Sequence, residues 1–201
     1  MITLIVVAVL AFLLVIVLKK LFAKPAAPPP KPVEDLGSIK VTGARAGDSI
    51  SIAGAGDNLG DLDFTIEQRR DYDLGPRRWI ELRGRYRERR VLLEISVEDE
   101  AEVFAVTDPR ALSLEDIDVS EDDLAQMDER QNASDYFEYD GQPWYYRLSR
   151  EFPSPGAPFY GWVFRQKGGG RTMLVRKAEG EPFTVVIGTR VNPDDITVYR
   201  A

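Results

Sequence analysis

The 201 residues contain no cysteine and no histidine, and 26 basic residues stand against 33 acidic ones. That excludes disulfides, thiol nucleophiles, zinc sites built from Cys and His, and the commonest general base at neutral pH. Any chemistry falls to carboxylates, Lys, Tyr or Ser, and the length allows one anchor segment plus one domain of about 165 residues.

The chain opens on MITLIVVAVLAFLLVIVL, apolar apart from Thr3. A helix over residues 1–23 rises about 1.5 Å per residue and crosses a hydrocarbon core of about 30 Å, so a single-pass transmembrane helix is expected. The lysines at 19, 20, 24 and 31 follow the run rather than precede it. That order fits an anchor better than a cleaved signal. It also places the N-terminus outside the cell membrane and the C-terminal domain in the cytoplasm.

Residues 24–36 include KPAAPPPKPVED, whose proline density favours an extended polyproline II spacer of about 35 Å. Every acidic residue lies at or after Glu34, so the part beyond the spacer holds 22 basic against 33 acidic residues, a formal charge of −11. Such a domain repels nucleic acid and anionic lipid as a whole.

From residue 37 to 201 short alternating segments are broken by Gly, Pro and Asp, the pattern of a mainly β fold. SIKVT and DSISIAG read as two strands joined by GARAG. LDFTIEQ reads as a third, with Leu62, Phe64 and Ile66 on one face. In SEDDLAQMDERQ, Ser120 is a natural N-cap with Asp123 three residues on, and Leu124 and Met127 face a core: one short helix. YFEYDGQPWYYRLSR reads as a hairpin turning at Asp140 and Gly141.

Two stretches share one order of events. Residues 79–119 and 162–198 each run from Trp through an apolar strand, a basic Gly-containing turn, a second apolar strand, an acidic turn and a strand near Phe, ending in EDIDV or DDITV. This predicts an antiparallel, pseudo-duplicated, two-lobed β domain of small-barrel or sandwich-like lobes, with both indoles on equivalent sides of their sheets. The triplet Gly168–Gly170 then occupies a hairpin turn. A phosphate-binding loop needs a helix after the glycines, and RTMLV is strand-like.

The runs GDSISI, FTIEQRRDY, RRWIEL, WYYRLS, FYGWVF and MLVRKAEGEPFTVVIGTRVNPDDITVYR resemble the bacterial family known as domain of unknown function 4178. The resemblance covers nearly all of the chain after the spacer and departs from the family at the acidic insert near Leu112 to Asn132. It implies a β-rich bacterial module encoded beside other membrane proteins, and it brings no catalytic residues.

Nine arginines lie between Arg69 and Arg90 against four acids. Interleaved with Tyr72, Trp79 and Tyr86, they can form an anion-binding surface. They can equally pair with the acids of SVEDEAE and EDD in the same domain. The candidate binding residues are Arg83, Arg85, Arg87 and Arg89 with Trp79 and Trp162, the tryptophans being core residues unless an aromatic face is exposed. No catalytic residue, metal site or cofactor is expected. The function expected is a membrane-anchored cytoplasmic adaptor with a protein partner. The competing readings are a hydrolase-like enzyme using paired carboxylates and a small-barrel protein binding single-stranded nucleic acid.

Overall fold

In a strand, side chains alternate between faces, so one extra residue reverses the alternation. Two of the described strands use that device. In the computed structural model, which describes residues 39–107, 111–155 and 158–201, strand β2 (Leu62–Leu74) bulges at Glu67 and β7 (Gln142–Phe152) bulges at Arg147. Before its bulge β2 buries Leu62, Phe64 and Ile66, as the alternation predicts. After it, Tyr72 and Leu74 point to the opposite face and join a different cluster.

The other strands are β1 (Ser49–Ile52), β3 (Arg77–Tyr86), β4 (Arg89–Val97), β5 (Ala101–Val106), β6 (Tyr136–Tyr139), β8 (Phe159–Gln166), β9 (Arg171–Lys177), β10 (Thr184–Val191) and β11 (Ile196–Tyr199). All pairings between these strands are antiparallel, and they form one open sheet in the order β11-β1-β2-β3-β4-β5-β10-β9-β8-β7-β6. Instead of two separate lobes there is one continuous sheet. Its halves run outward from the central β5–β10 pair, and both outer strands are four residues long. Short edges offer little template for unwanted pairing.

The halves correspond strand by strand. Gln68 pairs Arg83 just after the first bulge, and Leu148 pairs Val163 just after the second, positions 80 residues apart in both strands. The glycine triplet adds two residues to the β8–β9 turn, so Glu81 opposite Glu94 is answered by Gly161 opposite Arg176. One strand further in, Glu94 opposite Phe104 is answered by Arg176 opposite Thr184. In this register Trp79 corresponds to Phe159, and Trp162 corresponds to Leu82. The two indoles therefore lie on opposite faces of the sheet, contrary to the sequence expectation.

One face carries two hydrophobic clusters. Ile80, Leu82, Leu93, Ile95 and Val103 pack under β1, β11 and the first half of β2. Trp144, Tyr146, Trp162, Phe164, Met173 and Val175 pack under helix α1 (Glu121–Arg130), which contributes Leu124 and Met127. Ser120 caps that helix in a capping box with Asp123, and the Trp162 indole donates to the Leu124 carbonyl at 3.2 Å.

The other face is concave. Tyr72, Leu74 and Trp79 from one half meet Phe152, Phe159 and Val163 from the other. Tyr72 against Phe159 and Trp79 against Phe152 are equivalent edge-to-face contacts, with ring centroids at 5.5 and 5.7 Å. Such geometry aims the positive edge of one ring at the negative face of the next. The four rings join β2 and β3 of one half to β7 and β8 of the other.

Local expectations otherwise hold at the turns. Asp140 and Gly141 both take positive φ between β6 and β7, and β9 rather than a helix follows Gly170. SIKVT departs from its expectation: Val41–Gly43 is a 3-10 turn, and Arg69 donates to the Thr42 and Ala44 carbonyls, so a guanidinium takes the place of a neighbouring strand. Among the described residues no helix is long and apolar enough to cross a membrane. The apolar run and the spacer lie outside the described residues.

Candidate functional site

Glutamate rarely sits inside an apolar strand unless something pairs it. Glu81 in WIEL and Glu94 in LLEI are both 0% exposed, side by side on the concave face of β3 and β4. Arg176 reaches them from the far half of the sheet, with Nη2 at 2.5 Å from Glu81 and 2.8 Å from Glu94. Arg83 Nη2 donates to Glu81 at 3.0 Å, and the Tyr72 hydroxyl donates to the same carboxylate at 3.3 Å. Burial opposes ionisation of Glu81, but the Arg176 and Arg83 guanidiniums outweigh it and hold its carboxyl below the usual range. Burial pushes Glu94 up to about 7, with Arg176 offsetting only part of that and the Glu81 charge adding to it. Gly161 leaves room for this arrangement, since a Cβ there would lie 2.6 Å from the Phe152 ring.

On either side of this charged centre the concave face opens into a cleft. The first, about 400 Å³, is lined by Arg83, Arg85, Arg90 and Arg176, with apolar walls at Leu92 and Val186 and Glu67 at its rim. The second, about 600 Å³, holds Arg77, Arg147, Arg165 and Arg190, with Trp79 in its wall. Arg85 and Arg165 occupy equivalent positions in the two halves, as do Arg83 and Val163, and Glu67 and Arg147.

The two clefts differ in how their charges are met. In the second, Glu102 accepts from both Nη1 and Nη2 of Arg165 at 3.0 and 2.8 Å, and Arg77 Nη2 donates to Glu98 at 2.5 Å. In the first, Arg85 has Glu67 at 3.4 Å on the exposed side, and among the described residues no carboxylate pairs with Arg90.

The arginines singled out from sequence thus separate. Arg83 and Arg85 line the cleft, whereas Arg87 and Arg89 sit on the β3–β4 turn against Asp57 and Tyr86. Several do pair with acids of the same domain. Of the two acidic stretches, SVEDEAE supplies Glu98, and the other partners are Asp57, Glu67, Asp71 and Glu81. Trp79 and Trp162 are 2% and 8% exposed, which makes both core residues. Arg90, Arg176, Glu81 and Glu94 also belong to this site and are not among the binding residues expected from sequence. The available signal was an acid flanked on both sides by large apolar residues, in two adjacent strands. Among the described residues no group of acids has the arrangement of a metal site.

No family model matches the chain, and neither the curated proteins nor the solved structures yield a match.

Proposed function

We propose that this chain is a non-enzymatic binding module tethered to the cell membrane by residues 1–23, with the Pro-rich spacer holding its β domain in the cytoplasm. Its concave face takes a protein partner. The observation that carries this reading is the first cleft: four arginines converge there in a domain of formal charge −11, and Arg90 has no carboxylate partner among the described residues. Arginine left in a part-open cleft favours a planar anion, which it grips with two parallel hydrogen bonds.

A carboxylate hydrolase gains less support. Its obvious pair, Glu81 and Glu94, is 0% exposed and held by Arg176, an arrangement suited to counterions rather than to a reacting centre. A single-strand binder needs exposed stacking rings along a basic groove. None of the residues lining this cleft is aromatic.

The two halves are best read as an internal duplication. What supports this is the recurring bulge and the constant spacing of equivalent strands.

The test is affinity capture of the intact protein from detergent-solubilised membranes beside its Arg85→Gln/Arg90→Gln variant. Both side chains are exposed, so the fold should tolerate the change. A partner recovered by the wild type and lost from the variant supports the proposal. Equal recovery by both contradicts it.

A further inference from the structure

The cleft in which Arg165 is paired by Glu102 shows what the Arg85–Arg90 cleft lacks. Glu102 lies two residues before Phe104 on β5, and Phe104 corresponds to Thr184 on β10. The position corresponding to Glu102 is therefore Pro182, which has no carboxylate and no donor. Arg165 is held by the half-buried Glu102 at 2.8 Å, whereas its equivalent Arg85 meets only the exposed Glu67, at 3.4 Å. The neighbouring acids Glu179 and Glu181 are exposed and form no ion pair with Arg83, Arg85 or Arg90 among the described residues.

We propose that the Arg85–Arg90 cleft binds an acidic side chain of a partner protein, presented on a short extended or turning segment, in the place Glu102 fills in the equivalent cleft. This rests on the binding-module reading and gives its ligand a chemical class. Glu102 is the template: one carboxylate, bidentate on one guanidinium, with a second arginine, Arg190, at 3.7 Å. In the open cleft Arg85, the equivalent of Arg165, is directly paired across β3 and β4 with Arg90, which stands where the other half has Thr172, so a second guanidinium lies beside the first. Leu92 and Val186 supply apolar wall for the residues flanking the acid. The domain's net negative charge repels a long polyanion, which favours one or two acids among apolar and small residues over a nucleic-acid chain.

The chain itself supplies the probe. A capped fluorescent peptide SVEDEAE, the sequence of residues 96–102, is titrated into the full-length protein in detergent micelles at low ionic strength. Its counterpart SVQNQAQ serves as control and inorganic phosphate as competitor. Expected are a dissociation constant below about 1 mM, loss of at least tenfold in Arg85→Gln/Arg90→Gln, no binding of SVQNQAQ, and little change in Arg190→Gln. Equal binding by the arginine variant, or none by the wild type, overturns the proposal. Displacement by phosphate at concentrations where chloride has no effect overturns the choice of carboxylate, because the cleft then selects a phosphate group. If membrane capture depends on Arg85 and Arg90 while the peptide fails, the ligand class is wrong and the binding module stands. If the peptide binds but capture finds no arginine-dependent partner, the cleft is right and the adaptor role is wrong.

Discussion

Arg176 on β9 donates to Glu94 on β4 at 2.8 Å although the two residues lie 82 positions apart in the chain. The contact joins the two halves of the sheet, and its energetics depend on pH. Glu94 faces Glu81 and Arg83 on β3, Arg176 on β9 and Tyr72 on β2. Its carboxyl is raised from 4.5 to about 7, so the folded state holds a proton that the unfolded chain releases at lower pH. Stability from this group is fully present below about 4.5 and is lost as pH rises through about 7, on the order of 3 kcal/mol. Glu81 shifts the other way, and its contribution changes only in more acidic solution. Urea unfolding between pH 5 and 8 should show the wild type losing stability relative to Glu94→Gln up to about pH 7, then running parallel to it. Parallel profiles throughout would rule out a buried, raised Glu94.

Removing Arg176 should do more harm than removing the whole cluster. Arg176→Met leaves two buried carboxylates without their shared cation, a change that costs about 3–5 kcal/mol. Adding Glu81→Gln and Glu94→Gln to Arg176→Met should recover most of that loss, because the uncompensated charges disappear. Calorimetry at pH 8 on the single and triple variants checks this, and an unrecovered triple variant would show that Arg176 acts through packing alone.

Gly161→Ala tests the aromatic closure. The added methyl meets the Phe152 ring at 2.6 Å and the Phe159 ring at 3.1 Å, so one of the two must move. A loss of about 1–3 kcal/mol is expected from overpacking. Glycine 170 is the control, since a Cβ there meets nothing within 4 Å. Equal tolerance at both positions would mean that the rings do not meet as described.

Membrane topology is open to a simple test because the chain lacks cysteine. Ala125→Cys places a thiol on the exposed side of α1. A membrane-impermeant maleimide should label it in lysed cells and leave it unlabelled in intact ones. Labelling of intact cells would put the domain on the other side of the membrane.

How much of this was legible in the sequence depended on range. Ser120 with Asp123, Asp140 with Gly141 and the glycine triplet each act within a few residues, and each performs as its chemistry requires. The order of strands in the two meanders was readable too, but their register was not. Matching Trp79 to Trp162 ignores the different turn lengths between the strands, and no local pattern announces the bulges at Glu67 and Arg147 that reverse the faces. The cleft was half visible. Arg83 and Arg85 stood out by charge density, whereas Arg176 belongs to the site only because the sheet curls and brings β9 over β4.

The most direct test of the binding account watches the arginines themselves. Side-chain Nε–Hε resonances of the full-length protein in micelles are followed during titration with the SVEDEAE peptide. The account predicts shifts at Arg85 and Arg90 that saturate together, while Arg165 stays where Glu102 already holds it. Movement of Arg165 as large as that of Arg85, or no movement at either, would contradict it.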